Sequence, residues 1–166
     1  MGGGSGGYYD QSSRTSQEAK DLFDKATKHA EQKVQGEHRV RNVFISFHHE
    51  DRGQVELLRS QAKRKEFGLE FRDHSIKDPT DEETWRREAR ERIMNTSATI
   101  VMIGPNTAKS RNVLYEIEES YRQGKKVIGV RIYGIGTHQV PDIMVKNKAQ
   151  NVNWTMEQIQ DELDKN

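Results

Sequence analysis

The chain has no cysteine among its 166 residues. Disulfides and thiolate-ligated metals are therefore excluded. Long apolar runs are missing too: none approaches the roughly 18 residues that a membrane span needs, so no membrane partner is expected. Neither sign of charge is in excess, since 27 basic and 26 acidic side chains leave a formal net charge of +1. That balance gives no case for nucleic acid or for an acidic partner. No basic segment leads into an apolar one at the start, so no secretory signal is visible and a cytoplasmic location is the expectation. Hydrophobic residues make up only 32% of the chain, so the core has to be economical. They gather in a few short runs between very polar segments, the pattern of a small α/β domain with solvated helices.

Residues 1–14 are Gly/Ser-rich and lack periodicity. Such a segment cannot bury enough surface to offset the entropy of ordering, and it is expected to be disordered. A helical extension is expected over 15–36. Thr15 and Glu18 fit a capping box, Gly36 fits the position just past a helix end, and Ala19, Leu22, Phe23, Ala26, Ala30 and Val34 form a thin apolar stripe.

The region 39–166 reads as one domain. Asn42 to Phe47 is a β-branched and aromatic run, hence a buried strand, and it ends in the polar stretch from His48 to Gly53. Val55, Leu58, Ala62 and Phe67 predict an amphipathic helix over 54–67, closed by Gly68. Residues 69–72 alternate and read as a second strand. A polar loop with Pro79 follows, and Thr80 with Glu83 fits the capping box of a helix whose stripe is Trp85, Ala89 and Ile93. The Glu and Arg side chains around that stripe, Arg86 among them, read as a solvated face. Ser97 to Gly104 is a continuous apolar strand, a helix then runs to Gly124, and Lys126 to Tyr133 is the next strand. Residues 134–149 read as loop and 152–154 as a last short strand. Thr155 caps a final helix bearing Met156, Ile159 and Leu163. Alternating strands and helices imply a parallel sheet covered on both faces. The expected fold is α/β, a doubly wound five-stranded flavodoxin-like sheet of order 2-1-3-4-5.

Several uses of such a sheet are disfavoured by the residues. Gln139 stands where a Gly134-x-Gly136 dinucleotide fingerprint needs its third glycine, and no Walker loop occurs. Gly104-Pro105 stands where a receiver domain needs its phosphoacceptor aspartate. The acidic run His48-His49-Glu50-Asp51 would repel the phosphate of a flavin. Those four are consecutive, and consecutive residues rarely converge on one ion, so no metal is expected. Their loop does leave the first strand beside the topological switch point, where ligands bind in open α/β sheets.

The helix after residue 110 can be capped by Ser110 or Asn112, with Val113, Leu114, Ile117 and Tyr121 as its buried stripe and Glu118–Arg122 as a surface pair. Glu116 has Asn112 and Ser120 as its i−4 and i+4 neighbours, so it lies on a polar row without a cation. On pattern alone it reads as a solvated helix carboxylate, near the end where the dipole favours ionisation.

Val43 to Phe47 with Asp51, the strand 97–104, Thr107, Ser110, Val113 to Ile117 and Gly124 to Val130 together resemble the TIR-like family that includes the Thoeris anti-phage signalling protein. The resemblance covers about Arg41 to Trp154. It implies a flavodoxin-like TIR fold, self-association through TIR-like surfaces and, in enzymatic members, cleavage of the nicotinamide–ribose bond of NAD. NAD would be substrate, with no further cofactor. The family's essential glutamate falls on Glu116, and Asn112 stands where its motif has tryptophan. The resemblance also implies that Phe47 faces a substrate ring, that Ser46, His48 and Asp51 border the ribose, and that the loop 73–79, with His74 and Ser75, gates the site and mediates assembly. A TIR-like adaptor without catalysis, acting through homotypic contacts, is the alternative.

Overall fold

The computed structural model describes Lys20, Asp21, Asp24 and residues 41–63, 71–73, 81–134 and 136–165. The chain divides into two units, Met1–His38 and Arg39–Asn166. The expected tail and the expected helix over 15–36 lie outside the described residues, except that Lys20, Asp21 and Asp24 are helical and exposed.

In the second unit the elements are β1 (Arg41–Ser46), α1 (Arg52–Ala62), β2 (Phe71–Asp73), α2 (Glu82–Met94), β3 (Ala98–Ile103), α3 (Arg111–Arg122), β4 (Lys126–Arg131), α4 (Asp142–Lys146), β5 (Gln150–Asn153) and α5 (Met156–Asp164). The strands lie in the order β2-β1-β3-β4-β5 with every pairing parallel. The parallel α/β sheet expected from the sequence is therefore present. All six residues of β3 are buried, as a central parallel strand requires.

Two apolar layers hold the sheet. Val43 and Ile45 of β1, Ile100 and Met102 of β3, and Ile128 and Val130 of β4 pack with α1 and α5. Val101, Ile103 and Val127 pack on the other face with Val113 and Ile117 of α3 and Met144 of α4. That second layer sets the height of α3 over the sheet. The period-2 alternation of strand side chains makes the division, since neighbours along a strand point to opposite faces.

Some boundaries differ from expectation for identifiable reasons. Asp81, not Thr80, caps α2, its carboxylate accepting from the Thr84 amide at 2.8 Å. Residues 142–146 are a short helix, not loop: Pro141 sits just before it, where its fixed φ and missing N–H suit a helix start. Arg122 pairs with Glu119 and not with the exposed Glu118. The end of α3 matches the sequence reading. Gly124 adopts φ +67°, and the amides of Gly124 and Lys125 return to the carbonyls of Tyr121 and Ser120, both at 2.9 Å, which completes a Schellman motif.

Gly129 lies at the crossing of β3, β4 and β5. A Cβ there would strike the Asn151 amide and come within 2.6 Å of Ile103 Cδ1 in the core. Overpacking of this kind typically costs about 1–3 kcal/mol. Gly129→Ala should therefore lower the chemical-denaturation midpoint with an unchanged m-value, whereas Gly53→Ala, which meets nothing within 4 Å, should not.

Candidate active site

The site is built on the polar row of α3. Asn112, Glu116 and Ser120 recur every four residues, so they stand one above another on the helix. This row faces the sheet. The Ser120 hydroxyl donates to the Glu116 main-chain carbonyl at 2.7 Å and lies 2.7 Å from Thr99 Oγ1. A serine hydroxyl has one hydrogen, so Thr99 is the donor in the second bond. One turn higher, the Ser46 hydroxyl at the end of β1 donates to Glu116 Oε2. Ser46 is 0% exposed and Glu116 only 7%. Glu116 is thus not the solvated carboxylate that its pattern suggested. Hydroxyls on two adjacent strands receive the row and make its burial tolerable.

Burial has an electrostatic consequence. Desolvation disfavours the ionised carboxylate and outweighs the Ser46 hydrogen bond, which favours it, so the pKa of Glu116 rises from 4.5 to about 8. At neutral pH Glu116 keeps this proton.

The row opens at Asn112, which is exposed at the lip of a cleft of about 300 Å³ between the first turns of α2 and α3. Asp81, Glu82, Trp85, Arg86 and Arg111 complete its lining. Glu116 lies one turn from Asn112 on the same face, about 6 Å along the axis. Trp85 is the one aromatic residue of the lining and is itself largely buried; behind it, its ring lies 5.3 Å from that of Tyr115, tilted by 54°, and the Arg86 guanidinium lies 4.9 Å over the Tyr115 ring. Glu82 pairs with Arg86 at 2.7 Å and approaches Arg111 to 3.7 Å. Asp81 and Ser110 cap the two helices and fix these first turns. The loop before α3 is pinned by Thr107, whose hydroxyl accepts from the Gly104 amide at 2.8 Å and donates to Met102 O at 2.9 Å. The cleft offers the Trp85 side chain and two guanidinium groups, and Asn112 of its lining stands one helical turn from the Glu116 carboxyl.

The other residues singled out from the sequence are distributed differently. Ser46 meets Glu116 and is buried. Phe47 packs against the apolar layer of α1 and α5. His48 caps the short turn His49–Asp51, its Nδ1 accepting from the Glu50 amide at 3.4 Å. Asp51 is buried with Oδ2 unpaired, in a space that exists because residue 104 has no Cβ, and burial raises its pKa. His74 and Ser75 lie outside the described residues. Among the described residues no group of three or more His, Cys, Asp or Glu could hold a metal ion.

Trp85, Arg86, Arg111, Asp81 and Glu82 were not read as site residues. Trp85 is buried in the stripe that the sequence predicts and Arg86 is an exposed charge, as expected; what the sequence does not show is that both border a cleft. Their meeting depends on the packing of α2 against α3, which no local pattern encodes. The nearest signal was the pair of helix-start motifs, which marks two first turns without showing that they face each other.

The all-parallel sheet of order β2-β1-β3-β4-β5 defines a flavodoxin-like α/β domain. A family model described as the TIR-like domain of the Thoeris protein ThsB matches residues 44–136, and the chain belongs to this family. A Bacillus cereus (strain MSX-D12) protein named "Putative cyclic ADP-D-ribose synthase ThsB1" is 32% identical over 100 residues, which are 56% of this chain and 52% of that protein. The chain thus matches about half the length of this curated relative. Among solved structures, the TIR domain of the Toll-related receptor TRR-2 from Hydra magnipapillata aligns with a TM-score of 0.52 at 17% identity, over 74% of this chain and 90% of that one. The Clostridium botulinum CMP N-glycosidase BcmB aligns with a TM-score of 0.50 at 16% identity, over 75% and 98%. These two establish likeness of fold.

The buried carboxyl makes a prediction about stability. Between pH 4.5 and about 8 the native protein binds more of this proton than the unfolded chain does, so Glu116 lowers stability as pH rises through that window. The linkage amounts to roughly 3 kcal/mol at pH 7. Glu116→Gln, neutral and of the same size, should match wild type near pH 4.5 and exceed it progressively up to pH 8 in urea titrations. A difference independent of pH would contradict the assignment.

Proposed function

We propose that this chain is a TIR-like NAD nucleosidase or cyclase, cleaving the nicotinamide–ribose bond to make an ADP-ribose-type signal in anti-phage or immune-type signalling. The observation that carries the proposal is Glu116: a buried carboxyl, held by Ser46, one helical turn from Asn112, which lines a cleft with Trp85 and two arginines. It coincides with the position to which the TIR resemblance assigns the essential acid. Family membership and the name of the Bacillus cereus relative support the same reading.

The chemistry needs one carboxylate. The C–N glycosidic bond breaks heterolytically, and its electron pair goes to the pyridinium nitrogen, which leaves as neutral nicotinamide. No acid has to protonate that leaving group. The ribose is left with oxocarbenium character, which an ionised Glu116 stabilises. Water, or a hydroxyl of the same molecule, adds to the sugar carbon and gives up a proton, yielding ADP-ribose or a cyclic product. Trp85 is the aromatic side chain of the cleft, and Arg111 and Arg86 offer donors to the diphosphate. The proton that Glu116 holds without substrate leaves for solvent when the pyridinium cation arrives.

TIR-like surfaces would bring copies together, so the assay uses concentrated or crowded protein. Incubation with NAD should release nicotinamide, read by mass spectrometry together with the sugar product. Glu116→Gln should reduce the rate by at least about 10²-fold. Equal rates in wild type and Gln variant would overturn the enzymatic reading and favour the adaptor. Because the ionised form is the active one, kcat/KM should rise with pH and level off near the pKa of the free site, about 8. A plateau already reached at pH 6 would contradict that role for Glu116.

A further inference from the structure

We propose that Ser46 is a positioning residue for Glu116, anchoring Oε2 so that Oε1 is the oxygen offered to a ligand. The inference rests on the reading of Glu116 given above, and it assigns Ser46 to the acid rather than to the ribose. Ser46 is the last residue of β1, where the strand is still in parallel register with Val101 of β3. Its side chain is fully buried and cannot itself meet a ligand from solvent. Its single hydrogen goes to Oε2. Oε1 has no hydrogen-bond partner among the described residues, and it is not among the buried oxygens that lack one. The two carboxylate oxygens are therefore unequal: one is fixed to the sheet and the other is left for whatever enters.

Among the described residues no other group shares this task. Thr99 and Ser120 hold the main chain of α3 and leave the carboxylate alone. The charged side chains nearby are engaged elsewhere: Arg86 and Arg111 with Glu82 on α2, and Arg122 with Glu119 on α3 itself. Among the described residues, burial and the Ser46 hydroxyl act on the ionisation of Glu116, in opposite directions. Removing the hydroxyl leaves burial unopposed.

The test compares Ser46→Ala and Ser46→Thr with wild type by two readouts. The first is the Glu116 side-chain carboxyl titration, followed by ¹³C NMR. The Ala variant should titrate at a higher pH than wild type, and the Thr variant, which keeps the hydroxyl, should not. The second is nicotinamide release from NAD. The Ala variant should lose about ten- to a hundredfold in kcat with KM nearly unchanged, the weight of one hydrogen bond to a charged group. Its pH–rate curve should move to higher pH. If the Thr methyl does not fit, Ser46→Cys, a weak donor of similar size, should fall between Ala and wild type. A lower melting temperature with an unmoved titration would overturn the proposal and leave Ser46 a packing residue. A moved titration in protein that never releases nicotinamide would uphold the positioning role and sink the enzymatic reading instead.

Discussion

The burial of a polar helical row against the sheet is the constraint on which the rest of this structure depends. A helix over a parallel sheet ordinarily turns an apolar stripe inward. Here α3 turns inward both Val113 with Ile117 and the row Glu116 with Ser120. The arrangement is stable only because β1 and β3 present hydroxyls, Ser46 and Thr99, at the heights where the row arrives. An unsatisfied buried carboxyl or hydroxyl costs on the order of 1–3 kcal/mol. Partnering therefore decides whether α3 can sit at this height and rotation. The Schellman end at Gly124 and the Ser110 cap then fix its length.

The same constraint sets the electrostatics. A carboxyl taken out of water keeps its proton, and Glu116 does so up to about pH 8. A cation can reverse this. A unit charge about 4 Å away, at an effective dielectric near 20, is worth roughly 4 kcal/mol, comparable to about three pK units. That is enough to ionise Glu116 at neutral pH. In the proposed reaction the cationic ring of NAD supplies that charge, so ionisation and occupancy arrive together. Water then has little access to an activated site when no substrate is bound.

Much of the fold was legible because it rests on local chemistry. Continuous apolar runs marked β3 and β4, the glycine at 124 marked the end of α3, and Thr155 marked the start of α5. Boundaries slipped where two capping residues were adjacent, as at Thr80 and Asp81, or where a five-residue helix was too short to show a period, as at 142–146. The site was legible in one residue and obscure in its surroundings. Glu116 was found by its motif, yet its burial was not, because i±4 neighbours say which row a residue occupies and not which way the row faces. Trp85, Arg86 and Arg111 reach the cleft through helix–helix packing, a contact of long sequence separation. Asn112, for which the family resemblance implied a tryptophan, lines the cleft together with Trp85.

The central claim of the proposed reaction is that the cationic pyridinium ring of the substrate comes up to the carboxyl of Glu116. Its most direct measurement is the ¹³C titration of that carboxyl with and without a non-cleavable carbocyclic analogue of NAD. The account predicts a midpoint near 8 in the free protein that falls by more than one pH unit when the analogue is bound. A midpoint that stays in place while the analogue demonstrably binds would contradict it.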